Sequence, residues 1–117
     1  MAQFHSYFPV ELRDRGPTRA QLPEMFSTDD KSNLIGARVT DGGEAVTLTG
    51  SVTGIILRSN GTRHTTPGNI IQGNLAYIAL SAAALSVPGN ITVFVNLTEG
   101  GRTTTLLECH GNIRGIG

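Results

Sequence analysis

Cys109 is the only thiol of the chain, and it stands next to His110. A nucleophilic cysteine needs a base within hydrogen-bond reach, and that base needs a group to orient it. Residues 102–110 read as a strand, in which neighbours point to opposite faces. The pair therefore reads as a buried structural cysteine beside a surface histidine, not as a nucleophile with its base. His5, His64 and His110 lie far apart, and none sits in an HxxxH or CxxC spacing, so no metal site is expected. Asp29-Asp30, ahead of Lys31-Ser32, reads as a turn or cap rather than an acid/base dyad. Gly42-Gly43 and Gly100-Gly101 fit neither GxGxxG nor GxxxxGK and open no helix. They read as hairpin turns, not phosphate cradles. The Asn-x-Thr triplets at Asn60, Asn90 and Asn96 are what Thr-rich strands flanked by Asn turns produce. The expectation is no catalytic residue, no metal and no cofactor.

The framework that would have to position any site is small. The chain has 117 residues, enough for one domain. Nine Lys+Arg balance nine Asp+Glu, which argues against nucleic-acid binding, where excess basic charge displaces counterions. No apolar run reaches the length of a membrane-spanning helix. The opening MAQFHSYFPVEL lacks a basic region followed by an apolar one, and is not expected to act as a secretory signal. A single cysteine excludes an internal disulfide framework.

Composition changes near residue 35. Residues 1–34 hold nine of the eighteen charges, four of the six aromatics and three of the five prolines, but one of the fifteen glycines. Pro9, Pro17 and Pro23 interrupt helices and strand ladders. One helical turn is expected within 18–26, limited by Pro23. The segment is expected to be an extended N-terminal arm, and residues 35–117 the folded domain. Phe4, Tyr7, Phe8, Val10, Leu12, Leu22, Met25 and Phe26 make the arm too apolar for a disordered tail. They can be buried over the chain's own domain or on a neighbouring subunit. The length and proline content favour the neighbour, with Arg13, Arg15 and Arg19 adding forked donors suited to an interface.

Residues 35–117 alternate in short runs bounded by turn residues, the pattern of antiparallel strands. Strands are expected at 35–40, 44–49, 51–58, 62–66, 69–72, 75–80, 91–98 and 102–110, with a last short one at 112–114. Asn60-Gly61 is the strongest hairpin signal, and Pro67-Gly68 is expected to break a strand. SAAALS, at 81–86, is too short for a lone helix and reads as a crossover turn. In 91–98, Ile91, Val93, Val95 and Leu97 are expected inside. Tyr77 and Phe94 are expected to be the only aromatics of the core. The fold class is all-β, an antiparallel β-sandwich of about seven to eight short strands with an extended N-terminal arm. A core of small aliphatic side chains suits a module that gains stability by assembling with neighbours. The Gly115-Ile116-Gly117 stop reads as a hinge to a following segment.

The runs FSTDDKSNLIGARVTDGGEAVTLTGSVTGIILRSNGTRHT and GNLAYIALSAAALSVPGNITVFVNLTEGGRTTTL carry a more specific signal. Their turn and core residues at 30–33, 39–50, 58–61, 73–80, 82–89 and 91–107 follow one order and spacing. In that order and spacing the chain resembles the N-terminal β-sandwich domain of tailed-phage structural proteins. That group holds the baseplate upper proteins and head-fibre proteins of phages infecting Firmicutes. The resemblance implies a virion structural protein, a rigid homotrimeric base whose arm docks on major capsid or tail proteins. Residues 1–26 depart from the baseplate pattern, which favours the base of a head fibre or a capsid decoration. The variant reading is a baseplate or tail adaptor carrying receptor-binding proteins. A carbohydrate-binding β-sandwich is a reading of another class. The lack of Trp and the core-like position of Tyr77 count against it.

Overall fold

A computed structural model describes residues 4–14 and 16–115. It is all-β. The strands are β1 (Phe4–Glu11), β2 (Thr18–Gln21), β3 (Met25–Phe26), β4 (Asn33–Asp41), β5 (Glu44–Ala45), β6 (Ser51–Leu57), β7 (Arg63–Ile71), β8 (Leu75–Leu80), β9 (Gly89–Glu99) and β10 (Arg102–Arg114). They form one sheet in the order β1-β4-β8-β7-β6-β9-β10-β2, with β5 beside β4 and β3 beside β10. The sheet curls over a single aliphatic core until its two ends, β1 and β2, are joined by residues 12–17. Near-closure of this kind leaves little free sheet edge.

The alternation expected in 91–98 is present. Ile91, Val93, Val95 and Leu97 are buried, and Thr92, Asn96 and Thr98 lie on the other face. Cross-strand pairs such as Thr98 Oγ1 to Thr103 Oγ1 at 3.0 Å stitch that outer face. The segment after β8 is a turn whose Ala84 and Leu85 are fully buried. Asp30 caps it by accepting the Ala82 N–H at 2.9 Å, while Asp29 accepts from the Phe26 N–H and the Asn33 amide. Both acids of the pair therefore serve as caps.

Several expectations need correction. The helical turn expected in 18–26 is instead β2 and β3, laid parallel along β10. That ladder satisfies backbone groups while Leu22 and Met25 drop into the core. Of 44–49 only Glu44–Ala45 is strand; beyond it the backbone leaves the sheet, and the Leu48 N–H is tied to the Gly73 carbonyl at 2.5 Å. Pro67-Gly68 does not break a strand. β7 runs through it and changes partner, pairing with β6 up to Pro67 and with β8 from Gly68. Gly111 likewise leaves β10 unbroken. Tyr77 and Phe94 are only half-buried and sit opposite the core positions of their strands. The sheet is not purely antiparallel, because β1 pairs parallel with β4 and β2 and β3 pair parallel with β10.

The first 34 residues are therefore part of the sheet. Val10, Leu22 and Met25 are 3%, 9% and 2% exposed and belong to the same core as Ile35 and Ile113. β1 is an edge strand, and Pro9 protects it. The Phe4 and Leu12 N–H groups donate inward, to Ser32 and Thr40. Alternation then places residue 9 on the outward side, where a missing N–H removes no ladder bond and blocks another strand from adding.

Glu11 fastens β1 to the β4–β5 turn. Its carboxylate accepts the backbone N–H groups of Arg13, Gly42 and Gly43 at 2.8–3.0 Å and the Thr40 hydroxyl at 3.2 Å. The three backbone donors hold its pKa down from the usual 4.5 to about 2. A carboxyl depressed in the folded state stabilises above its unfolded value, and that contribution is lost as pH falls through the folded one. Thermal melts of the wild type and Glu11→Gln should therefore differ most above pH 4.5 and converge as pH falls toward about 2. A difference that stays constant with pH would show that the carboxylate charge is not what matters.

Candidate functional site

Cys109 is fully buried, and burial, reinforced by the neighbouring Glu108, pushes its thiol up to about 12. His110 lies on the opposite face, its Nε2 2.8 Å from Glu108 Oε2. The two do not form a nucleophile and base. Native protein at pH 8 should leave Cys109 unmodified by a thiol reagent, with one equivalent reacting only after denaturation. Rapid native labelling would contradict the burial. Among the described residues, no group of three or more His, Cys, Asp or Glu is arranged to hold a metal ion.

The arm residues separate into three groups. Val10, Leu22 and Met25 are used up by the chain's own core, which corrects their assignment to a partner surface. Tyr7 and Phe8 are half-buried, and Phe8 packs against the core edge. Phe4, Leu12 and Phe26 stay exposed, at 56%, 42% and 36%. Arg13 is paired with Asp41 at 3.0 Å, and Arg19 lies 3.7 Å from Glu108, both at the surface. Arg15 lies outside the described residues. The structure does not gather these side chains into one patch of arm surface.

It assembles a different site. The solvent-facing side of β1, β4, β8 and the second half of β7 forms an open groove of about 630 Å³. Its floor is Leu34, Leu75 and Ala79, and its sides include Tyr7, Tyr77, Arg38, Asn69 and Ile71, with Lys31 at one end. Tyr7 is held on three sides. His5 stacks on it at 5.2 Å with planes 8° apart, the Arg38 guanidinium lies 5.7 Å from the ring centre, and Tyr77 tilts toward it at 6.5 Å. Partial burial raises the Tyr7 hydroxyl above its ordinary pKa. Gly36 makes the arrangement possible. A Cβ there would lie 2.8 Å from Tyr77 Cβ and 3.0 Å from Tyr7 Cδ1. Only glycine lets both rings close over β4.

Sequence reasoning named Tyr7 as an arm contact and missed the rest. The signal was present in 75–80, where Ala76, Ile78 and Leu80 alternate with Leu75, Tyr77 and Ala79. Reading the first set as core places Tyr77 outside. The second set is nearly as apolar, and that concealed the choice. Tyr77 on the outer face also removes one of the two objections to carbohydrate binding.

No protein-family model matches the chain, and no curated protein sequence does. Among solved structures, the chain is similar to the N-terminal domain of phage TP901-1 ORF48. The TM-score is 0.56 at 12% identity, covering 96% of this chain and 99% of that one. With so little of the chain outside the match, most of the first 34 residues fall within the shared fold. The arm is thus no addition to it. The likeness is one of fold.

Proposed function

We propose that the chain is a non-enzymatic structural module of a tailed-phage particle, held in the virion by contacts with other virion proteins and assembled as a homotrimer. The observation that carries this reading is the fold likeness to a phage protein domain over 96% of the chain. The exposed side chains agree with it. Of the four exposed large hydrophobics among the described residues, Phe4, Leu12 and Phe26 lie in the first 34 residues and Ile71 lines the groove. These are the apolar contacts left for a neighbour once the core is filled.

Co-sedimentation with purified phage heads and, separately, tails tests the reading. Retention on heads identifies the base of a head fibre or a capsid decoration. Retention on tails identifies a baseplate adaptor. Retention on neither overturns the proposal. Combined Phe4→Ser, Leu12→Ser and Phe26→Ser should weaken retention without unfolding the domain. Sedimentation equilibrium at micromolar concentration should give three times the chain mass, and a monomer would remove the trimer from the reading.

A further inference from the structure

We propose that the groove across β1, β4, β8 and β7 is the face that docks on the particle, and that its occupant is an extended, carboxylate-bearing segment of a neighbouring virion protein. The inference rests on the structural role proposed above and specifies its partner chemistry.

Three observations lead here. The first is composition. The outward positions of β6 and β9 mix Thr53, Thr92, Asn96 and Thr98 with the apolar Ile55, Leu57 and Phe94. On β1, β4 and β8 the outward face instead sets Arg38 beside Tyr7 and Tyr77, over the covered Leu34 and Leu75. A face that gathers Tyr and Arg has the composition of the desolvated centre of a protein interface. The second is charge. Arg38 and Lys31 line the groove, and no carboxylate does among the described residues. The phenol of Tyr77 and the amide of Asn69 add hydrogen-bonding groups. Such a lining complements carboxylates and repels cationic partners. The third is shape. The groove is open and its lining runs along β4 from Lys31 to Arg38, seven positions apart, which gives it a length on the order of 20 Å. That matches roughly six residues of extended chain. Alternate side chains of such a segment would face the groove, placing apolar groups beside Tyr7, Tyr77 and the exposed Ile71 and carboxylates near Arg38 and Lys31.

The experiment measures co-sedimentation with purified particles for the wild type, Arg38→Glu, Arg38→Lys and Arg102→Glu. Arg102 supplies the same charge change on the β9–β10 hairpin, away from the groove. Arg38→Glu should lower affinity about tenfold or more, Arg38→Lys much less, and Arg102→Glu hardly at all. Converting particle carboxylates to glycinamides should abolish binding of the wild type, and added salt should weaken it. Thermal melts establish that each variant is folded, and Arg38 is exposed, so its replacement leaves the core intact. If wild type and Arg38→Glu bind particles equally, the docking face is wrong while the structural role stands. Equal losses in Arg38→Glu and Arg102→Glu would reduce the effect to net charge and overturn the proposal. If the wild type fails to bind, the structural role itself falls. A shift of the Tyr7 and Tyr77 NMR signals by a hyaluronate tetrasaccharide, with particle binding indifferent to Arg38→Glu, would make the groove a saccharide site instead.

Discussion

Deleting residues 1–26 is expected to abolish cooperative unfolding, not merely to remove a tether. The deletion takes away β1, β2 and β3 together with Val10, Leu22 and Met25, which are 3%, 9% and 2% exposed. Each such side chain stabilises by roughly 1.5–3 kcal/mol when buried, so the three together reach about 5–9 kcal/mol. A small domain has a net stability of about 5–15 kcal/mol. The deletion also strips the ladder partner from β4 on one side of the sheet and from β10 on the other, leaving two unprotected edges that invite aggregation. The truncated chain should show no sigmoidal melt by circular dichroism and should elute as aggregate in gel filtration. A soluble fragment melting within a few degrees of the full chain would restore the picture of a separate arm over a self-sufficient domain. The milder Met25→Ala should cost about 2–5 kcal/mol. Loss of particle binding on deleting the arm would therefore say nothing about anchoring. Surface changes at Phe4, Leu12 and Phe26 can.

What the sequence made legible follows from how locally each feature is determined. The hairpin at Asn60-Gly61, the strand at 75–80 and the inward set Ile91, Val93, Val95 and Leu97 are fixed by residues a few positions apart, and the structure has all of them. The arm is different. β1 pairs with residues 29 positions away, as in Phe4 with Asn33, and β2 with residues 89 positions away, as in Thr18 with Leu107. Parallel pairing over such distances leaves no local signature. Proline adjacent to aromatics therefore reads as a free extended segment when it is an edge strand guarded by Pro9. The groove was hidden for a related reason. Tyr7 and Tyr77 are 70 positions apart and meet only because β1 and β8 flank β4. Gly36, the residue that admits both rings, looks in the sequence like any other glycine.

The same logic singles out Gly68 as a sensitive small residue of the fold. β7 is the one strand that belongs to both halves of the sheet, and the transfer happens between Pro67, opposite Thr53 of β6, and Gly68, opposite Ile78 of β8. At that corner the backbone of β7 lies almost against β8. A Cβ on Gly68 would collide with the Tyr77 carbonyl oxygen and lie 2.8 Å from both Ile78 Cγ2 and Val52 Cγ1. A flexible side chain can give way, but a carbonyl held in the sheet cannot. Ile78 is fully buried and Val52 nearly so, which leaves them little room to retreat. Gly68→Ala is therefore expected to cost about 3 kcal/mol or more, from overpacking at a backbone contact. For a domain of this size that lowers the melting temperature by about 10 °C or more. Gly43→Ala is the comparison that isolates the cause. Gly43 has φ +86° and open space around its would-be Cβ, so only left-handed backbone strain of about 1–2 kcal/mol is at stake. Chemical denaturation of both variants should rank Gly68→Ala well below Gly43→Ala. The reverse ranking would mean that the corner yields, and that β7 is not the rigid seam joining the groove-bearing half of the sheet to the rest.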